Sequence, residues 1–446
     1  MLNKNIFYVS HDIAQERTRK LKLSFLISVF SKGANMLVIL ISTPLILNYL
    51  GAEKFGVLNA LLSTLAVVMY SDLGLSMGLQ NSLPALIAKN EQVKIKSYIS
   101  TTFYFLVFAA FTIIILSIIV VFYVDWPVFF NTKNISNDDF RNAIIVYLLV
   151  VSIGIPVSVV QRTQSAYQDG YFTEIWTSVG NLASLIAVSI AMYFKGDIAI
   201  IILSMQGMVY LFGVFNFIYT FVLKKKYAKP NFLYFDVKLL RSLIKIGLSF
   251  LFLQICSLFI NSADNILILK IFGPSQVTHY TIAFRIISFL AMPVQLLSVP
   301  LLAAYNDAWE RGDKNWIKDI TIKLFKIAGL GSILGGTFFI FFGNTIAKHW
   351  TNSVEYTTYQ LILFGIFFLY LNFNSLISMI ALSNRFLKLL LVIYPIATVV
   401  TICAKYFVLQ YFSDDYSNIT IATFIPLFFL FFLPVLHKIY KEDFKV

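Results

Sequence analysis

Charge is thin in this chain, and acidic charge thinnest: 22 Asp and Glu stand among 446 residues, and all charged side chains together make up 13%. Long stretches carry no charge at all, which leaves no water-soluble domain of useful size. There are two cysteines, Cys256 and Cys403, both inside apolar runs. A disulfide framework or a cysteine metal site is therefore not supported. The four histidines, His11, His279, His349 and His437, lie far apart and form no metal-ligand spacing. No G-x-x-x-x-G-K-[ST] run occurs, so the chain drives nothing by binding a nucleotide itself. Catalytic residues, cofactors and metals are not predicted.

Hydrophobic residues account for 59% of the chain. They gather into runs long enough to cross a bilayer, about 20 residues at 1.5 Å each. Twelve spans are predicted, near residues 23–48, 55–79, 98–124, 142–160, 175–194, 198–222, 243–271, 278–304, 322–343, 356–382, 388–411 and 418–437. The first 20 residues are polar and lack a small-residue cleavage site, so the run after them is read as the first span. The fold class is all-α: a polytopic membrane protein in two six-helix lobes, 1–222 and 243–446, joined by a basic linker at 223–242.

The net charge of +13 invites a nucleic-acid reading, but its placement decides otherwise. With the N-terminus inside and residues at the span ends counted with the loops they adjoin, 26 of the 35 Lys and Arg belong to cytoplasmic segments and six to external turns, which leaves Lys32, Arg285 and Lys405 within spans. Both termini are expected in the cytoplasm. The run from Lys224 to Lys245 reads as a positive-inside anchor and linker, suited also to anionic headgroups.

Two hairpins organise the chain. The first runs from Ser31 to Gly74 about the turn YLGAEKFG, with Lys32 and Asp72 each 20 positions from Ala52. The second places Asp264 and Arg285 at equal distances from the midpoint of Pro274 and Ser275. Gly51 and Gly273, which open the two turns, are 222 residues apart, close to half the length, which suggests a duplicated unit. Six spans per half enter the membrane in the same sense, so the symmetry axis would run along its normal.

An ionisable group at the centre of a spanning helix costs about 2.5–3.5 kcal/mol on insertion scales, so such groups face a cavity or a partner. Lys32 lies ~13 Å inside the cytoplasmic end of its span and Arg285 ~10 Å inside the external end of its own. Two cationic stations at different depths suit an anionic substrate. The competing structural reading pairs Lys32 with Asp72 and Arg285 with Asp264, each pair pinning two helices. The same two carboxylates are the candidate sites for a coupling H+ or Na+. Lys405, near the end of its span, is expected to snorkel to the surface. Of the amides in the spans, Asn35 and Asn261 stand one turn from Lys32 and Asp264 and are the first choices for binding sugar hydroxyls. Pro44, Pro156, Pro293, Pro300, Pro395, Pro426 and Pro434 mark bends. Trp126 and Trp350 fit an interfacial belt.

The turn LGAEKFGV, the SDLGL that ends the second span and the later SADNILILKIFGPSQVTHYTIAFRI resemble the polysaccharide flippases of the O-antigen type. Their superfamily also holds multidrug and toxin extrusion exporters and the lipid II flippases. The resemblance covers essentially the whole chain in length, span count and motif order; twelve spans, not fourteen, match the O-antigen branch. It implies a bacterial inner-membrane protein that moves an undecaprenyl-diphosphate-linked oligosaccharide from the cytoplasmic to the external leaflet, for lipopolysaccharide or a related polysaccharide. Alternating access of a cationic central cleft between rocking lobes is the implied mechanism. By position, Lys32 and Arg285 are similar to the basic residues such flippases present to the diphosphate, although Lys lacks the bidentate fork of Arg. The implied partners are the lipid-linked oligosaccharide, membrane lipids and the polysaccharide polymerase machinery, with no nucleic acid. The alternatives are a cation-coupled multidrug exporter, which would favour acidic and aromatic cavity residues, and a membrane enzyme of polysaccharide assembly. A polymerase would need large external loops, and the longest here runs from Asp125 to Arg141. An acyltransferase would need a histidine at a membrane face. A scaffold without transport would tolerate loss of both cations.

Overall fold

The computed structural model describes residues 2–70, 72, 74–352, 354–381, 387–412 and 414–441. Side chains are described from residue 26 onward, apart from 70, 246, 296–304, 306, 307, 309, 310, 379, 381 and 387. His11 and the Pro300 ring therefore lie outside the described residues. Among those described, every regular element is helical. Eleven helices are long and apolar enough to cross a membrane. They are carried by α1 (Leu2–Leu65), α3 (Gln92–Tyr123), α5 (Asn137–Ala166), α6 (Gly170–Tyr193), α7 (Ile198–Lys224), α8 (Val237–Phe272), α9 (Pro274–Glu310), α10 (Lys314–Thr351), α11 (Thr358–Ala381), α12 (Lys388–Phe412) and α13 (Tyr416–Ile439). Between them lie α2 (Leu75–Ala88) and the short α4 (Trp126–Phe129).

The first apolar stretch, Leu26–Met69, is 44 residues long and covers most of the first predicted span and much of the second. Its break is at Gly51, whose φ of 76° and ψ of 166° place it in a region essentially closed to residues with a Cβ. Gly273, the matching glycine half a chain later, also takes a positive φ, 89°, and ends α8 with its N–H on the Leu269 carbonyl at 3.1 Å. The sequence pattern and the backbone thus agree on two equivalent turns.

The second span differs from expectation. Read as one helix over 55–79, it instead narrows to a 3-10 segment at Ala66–Tyr70 and restarts as α2 after Gly74, at φ 72°. Asp72 sits in the interruption rather than inside a helix. Its carboxylate accepts the Gly74 N–H at 3.0 Å and its carbonyl the Leu75 N–H at 2.9 Å. A short acidic side chain next to a left-handed glycine satisfies the freed amides, as irregular backbone at membrane depth requires. Trp126 also departs from the belt reading: it is buried and donates its indole N–H to the Val121 carbonyl at 2.9 Å.

The chain forms two compact units. The first comprises Met1–Ser42, Val68–Trp126 and Ser136–Leu251. In it the stretch after α7 is tied along α3: the Asn231 N–H donates to Ser100, the Asp236 N–H to Thr101, and the Ser97 hydroxyl to the Tyr234 carbonyl. Lys225 pairs with Asp169 at 3.2 Å and lies over the Tyr167 ring. The basic linker is thereby anchored along its length. Gly74 and Gly78 meet the start of α8 backbone to backbone: a Cβ on Gly74 would lie 2.2 Å from the Gly247 carbonyl oxygen, and one on Gly247 2.3 Å from that of Gly74.

The second unit comprises Thr43–Val67, Pro127–Ile135 and Phe252–Val446. Here the two equivalent turns touch. A Cβ on Gly56 would fall 1.8 Å from the Pro274 carbonyl oxygen, and the Thr278 hydroxyl donates to the Ala52 carbonyl at 2.6 Å. Asn265 donates to Ser63 at 2.8 Å. Glu53 holds the segment after α4 by accepting from Thr132 at 2.6 Å and from Asn134.

These contacts leave no room for a methyl group at Gly247. Gly247→Ala is expected to lower stability by roughly 1–3 kcal/mol. Gly331→Ala, where a Cβ meets open space, is expected to be neutral or mildly stabilising. Thermal unfolding of the purified proteins in detergent checks both, and a Gly247→Ala midpoint equal to wild type would refute the close packing.

Candidate functional site: charges within the spans

Arg285 projects from α9 toward the first hairpin. Its Nη1 donates to the Thr43 hydroxyl and its Nη2 to Asn59 Oδ1 at 3.2 Å, while the guanidinium lies 5.4 Å from the centre of the Phe55 ring. Asn59 is fixed by donating to the Phe55 carbonyl at 2.7 Å, and Thr43 and Asn59 are both buried. All of these partners are neutral. Among the described residues Arg285 has no carboxylate partner. A guanidinium carries five N–H donors, so this cluster orients the group without neutralising its charge or using its full donor set.

Asp264, the acid expected opposite Arg285, is engaged elsewhere. Its Oδ1 lies 2.6 Å from the Lys405 ammonium, and its Oδ2 accepts the Tyr280 hydroxyl at 2.5 Å. Lys405 also donates to the Ile260 carbonyl at 2.6 Å. Lys405 and Asp264 are 0% and 4% exposed, so the expected snorkelling of Lys405 is corrected: it is one of the largest fully buried side chains. The reason is physical. A lysine reaching the surface keeps its hydration, but one with a carboxylate and a carbonyl in reach exchanges that shell for fixed oxygens.

In the first unit, Lys32 is half-buried and has no hydrogen-bond or ion-pair partner among the described residues. The predicted Lys32–Asp72 pair is therefore not formed. Asp72 instead lies within electrostatic reach of Arg162, which donates to Gln80 at 3.0 Å. Asn35 accepts from Asn181 at 2.9 Å and Ser178 donates to the Ser31 carbonyl at 3.3 Å, so α1 and α6 are stitched on both sides of Lys32. Asn261 is exposed and bonds within its own helix, to Ser257.

Two features were not apparent from the sequence. Arg162, just beyond the fourth predicted span, is half-buried and donates to Gln80 of α2. Gln164, Asn216, Thr220 and Thr173 form a closed polar network among α5, α6 and α7, with Gln164 donating at 2.7 Å to Asn216 and 2.9 Å to Thr220 and accepting from Thr173 at 2.6 Å. The signal for it was present: four polar residues at the matching ends of three predicted spans. Among the described residues no group of three or more His, Cys, Asp or Glu could hold a metal ion. Cys256 and Cys403 are unpaired.

Among curated protein sequences none matches the chain significantly. Its fold is similar to solved structures of transporters. An inward-facing multidrug resistance MATE family transporter of the MOP superfamily superposes with a TM-score of 0.75 at 14% identity, over 93% of this chain and 98% of that one. An outward-facing structure from the same family gives 0.67 at 15%, over 95% and 94%. A MOP superfamily transporter from Pyrococcus furiosus, described as having a binding pocket of reverse polarity, gives 0.65 at 15%, over 96% of each chain. A family model described as polysaccharide biosynthesis protein matches residues 21–306. The chain is thus a multi-pass membrane protein that belongs to the polysaccharide biosynthesis protein family and has the fold of the MOP superfamily transporters.

Proposed function

We propose that this protein moves an undecaprenyl-diphosphate-linked oligosaccharide across the bacterial inner membrane, from the cytoplasmic to the external leaflet, by alternating access of two six-helix lobes, 1–222 and 243–446, joined through 223–242. Both termini would be cytoplasmic. The observation that carries this reading is Arg285: a cation in a spanning helix, oriented by Thr43, Asn59 and Phe55, with no carboxylate partner among the described residues. Such a group attracts an anion that offers several acceptor oxygens, and a diphosphate does so. Lys32, also without a partner among the described residues, is the second cationic station. Membership in a polysaccharide biosynthesis family supports a saccharide cargo. A membrane enzyme of the same pathway is disfavoured by the absence of any catalytic grouping in the sequence. A multidrug exporter is favoured by the fold alone, whereas the unneutralised groups are cations and therefore suit an anion.

The chemistry is binding and release without a covalent step. The diphosphate would take up the N–H donors of Arg285 left free by Thr43 and Asn59, the sugars would lie among amides such as Asn35 and the polyprenyl tail would remain in lipid. Asn261, bonded within its own turn, is a weaker choice for sugar contact.

Arg285→Ala is expected to reduce surface polysaccharide at least tenfold in a cell lacking its own flippase, which corresponds to ~1.4 kcal/mol or more of lost binding. Arg285→Lys should retain part of the activity, because the charge remains and the fork is lost. Full activity of Arg285→Ala at a normal protein level would refute the assignment. For Lys32 the same order is expected: Lys32→Ala should impair transport, while Lys32→Arg should match or exceed wild type in the same assay. A fully active Lys32→Ala would remove Lys32 from the substrate path.

A further inference from the structure

The Asp264 cluster has a composition that the proposed transport cycle does not use. Asp264 Oδ1 and the Ile260 carbonyl of α8 both face one point, and Lys405 from α12 places its ammonium there, 2.6 Å from each. Oδ1 accepts no aligned hydrogen bond; its partner is the charge itself. The other carboxylate oxygen is held by the Tyr280 hydroxyl of α9, and Tyr370 of α11 lies within electrostatic reach of the same carboxylate. Lys405, Asp264, Ile260 and Tyr280 are all buried within the second unit, in its membrane-spanning helices. A buried carboxylate and a carbonyl turned toward a common centre form an oxygen-donor site for one positive charge.

We propose that this is a monovalent-cation site closed by an internal cation, the Lys405 ammonium, which stands where a metal ion such as Na+ would otherwise sit. The carboxylate is then already neutralised, three helices are joined through one charge, and Asp264 draws on no sodium gradient. Without the ammonium, Asp264 would be a bare carboxylate in a low-dielectric interior, and it would be neutralised by an ion from solution or by a proton. The shortening of lysine to alanine leaves space for the ion at the two oxygens.

The test is thermal unfolding of the purified full-length protein in detergent, with NaCl exchanged for choline chloride at constant ionic strength. Wild type is expected to melt at the same temperature in both. Lys405→Ala should melt lower in choline and rise progressively with Na+, since a ligand that binds only the folded state stabilises it in proportion to the logarithm of its concentration above Kd. The double variant Lys405→Ala with Asp264→Asn should lose the Na+ response and melt above Lys405→Ala in choline. A folded Lys405→Ala that ignores Na+ would overturn the proposal and leave a carboxylate neutralised by a proton. A Na+-dependent rise in wild type that disappears in Asp264→Asn would also overturn it, and this second measurement stands even if Lys405→Ala cannot be recovered from the membrane. None of these outcomes depends on transport, so they leave the flippase reading to be judged by Arg285 alone.

Discussion

An ion in a bilayer-spanning helix loses its water, and the loss must be offset by fixed charges or dipoles of the protein. The second unit meets that requirement in two ways a short distance apart in sequence. Asp264 receives an opposite charge, a phenol and a shared carbonyl neighbour through Lys405, so the cluster is close to neutral. Arg285 receives a hydroxyl, an amide oxygen and an aromatic face, which orient it but leave its charge in place. Neutral clusters hold helices together, whereas an oriented and uncompensated cation is suited to an anion that arrives. That contrast distinguishes the compensated Asp264–Lys405 pair from the uncompensated Arg285.

Backbone geometry sets where these groups can stand. The two turns at Gly51 and Gly273 use conformations that favour glycine, and the residues just beyond them pack so closely that Gly56 has no space for a side chain. This contact brings Thr43, Phe55 and Asn59 to α9, and hence to Arg285. In the first unit the same device recurs at Gly74 and Gly247, beside the interruption that holds Asp72. Close backbone approach is common where membrane helices associate, because small residues let dispersion contacts form without a hydrophobic driving force.

Much of this was legible in the residues. Apolar runs, charge placement and the paired turns predicted the spans, and the family match and solved folds agree with the membrane class. Counting along the chain also put Asp264 and Arg285 inside apolar runs, and the helices over Gly247–Phe272 and Pro274–Gln295 carry them. Which partner each would take was not legible. Equal depth constrains height but not the direction a side chain faces around its helix, and Tyr280, which holds Asp264, stands five residues before Arg285, roughly 140° around the same helix. Lys405 was misjudged for a related reason: its position near a span end made the surface reachable, and the carboxylate within its reach came from a helix about 140 residues earlier.

The amino-acid sequence by itself determined that this chain is an all-helical membrane protein with few intramembrane charges, because hydropathy and glycine placement act locally and add up along the chain. Tertiary structure alone decided that Asp264 is paired with Lys405, that Asp72 lies in a broken helix near Arg162, and that Arg285 meets no carboxylate among the described residues. Those outcomes depend on which helix faces compete for the same few buried ions, and that competition is settled only when helices distant in sequence are packed together.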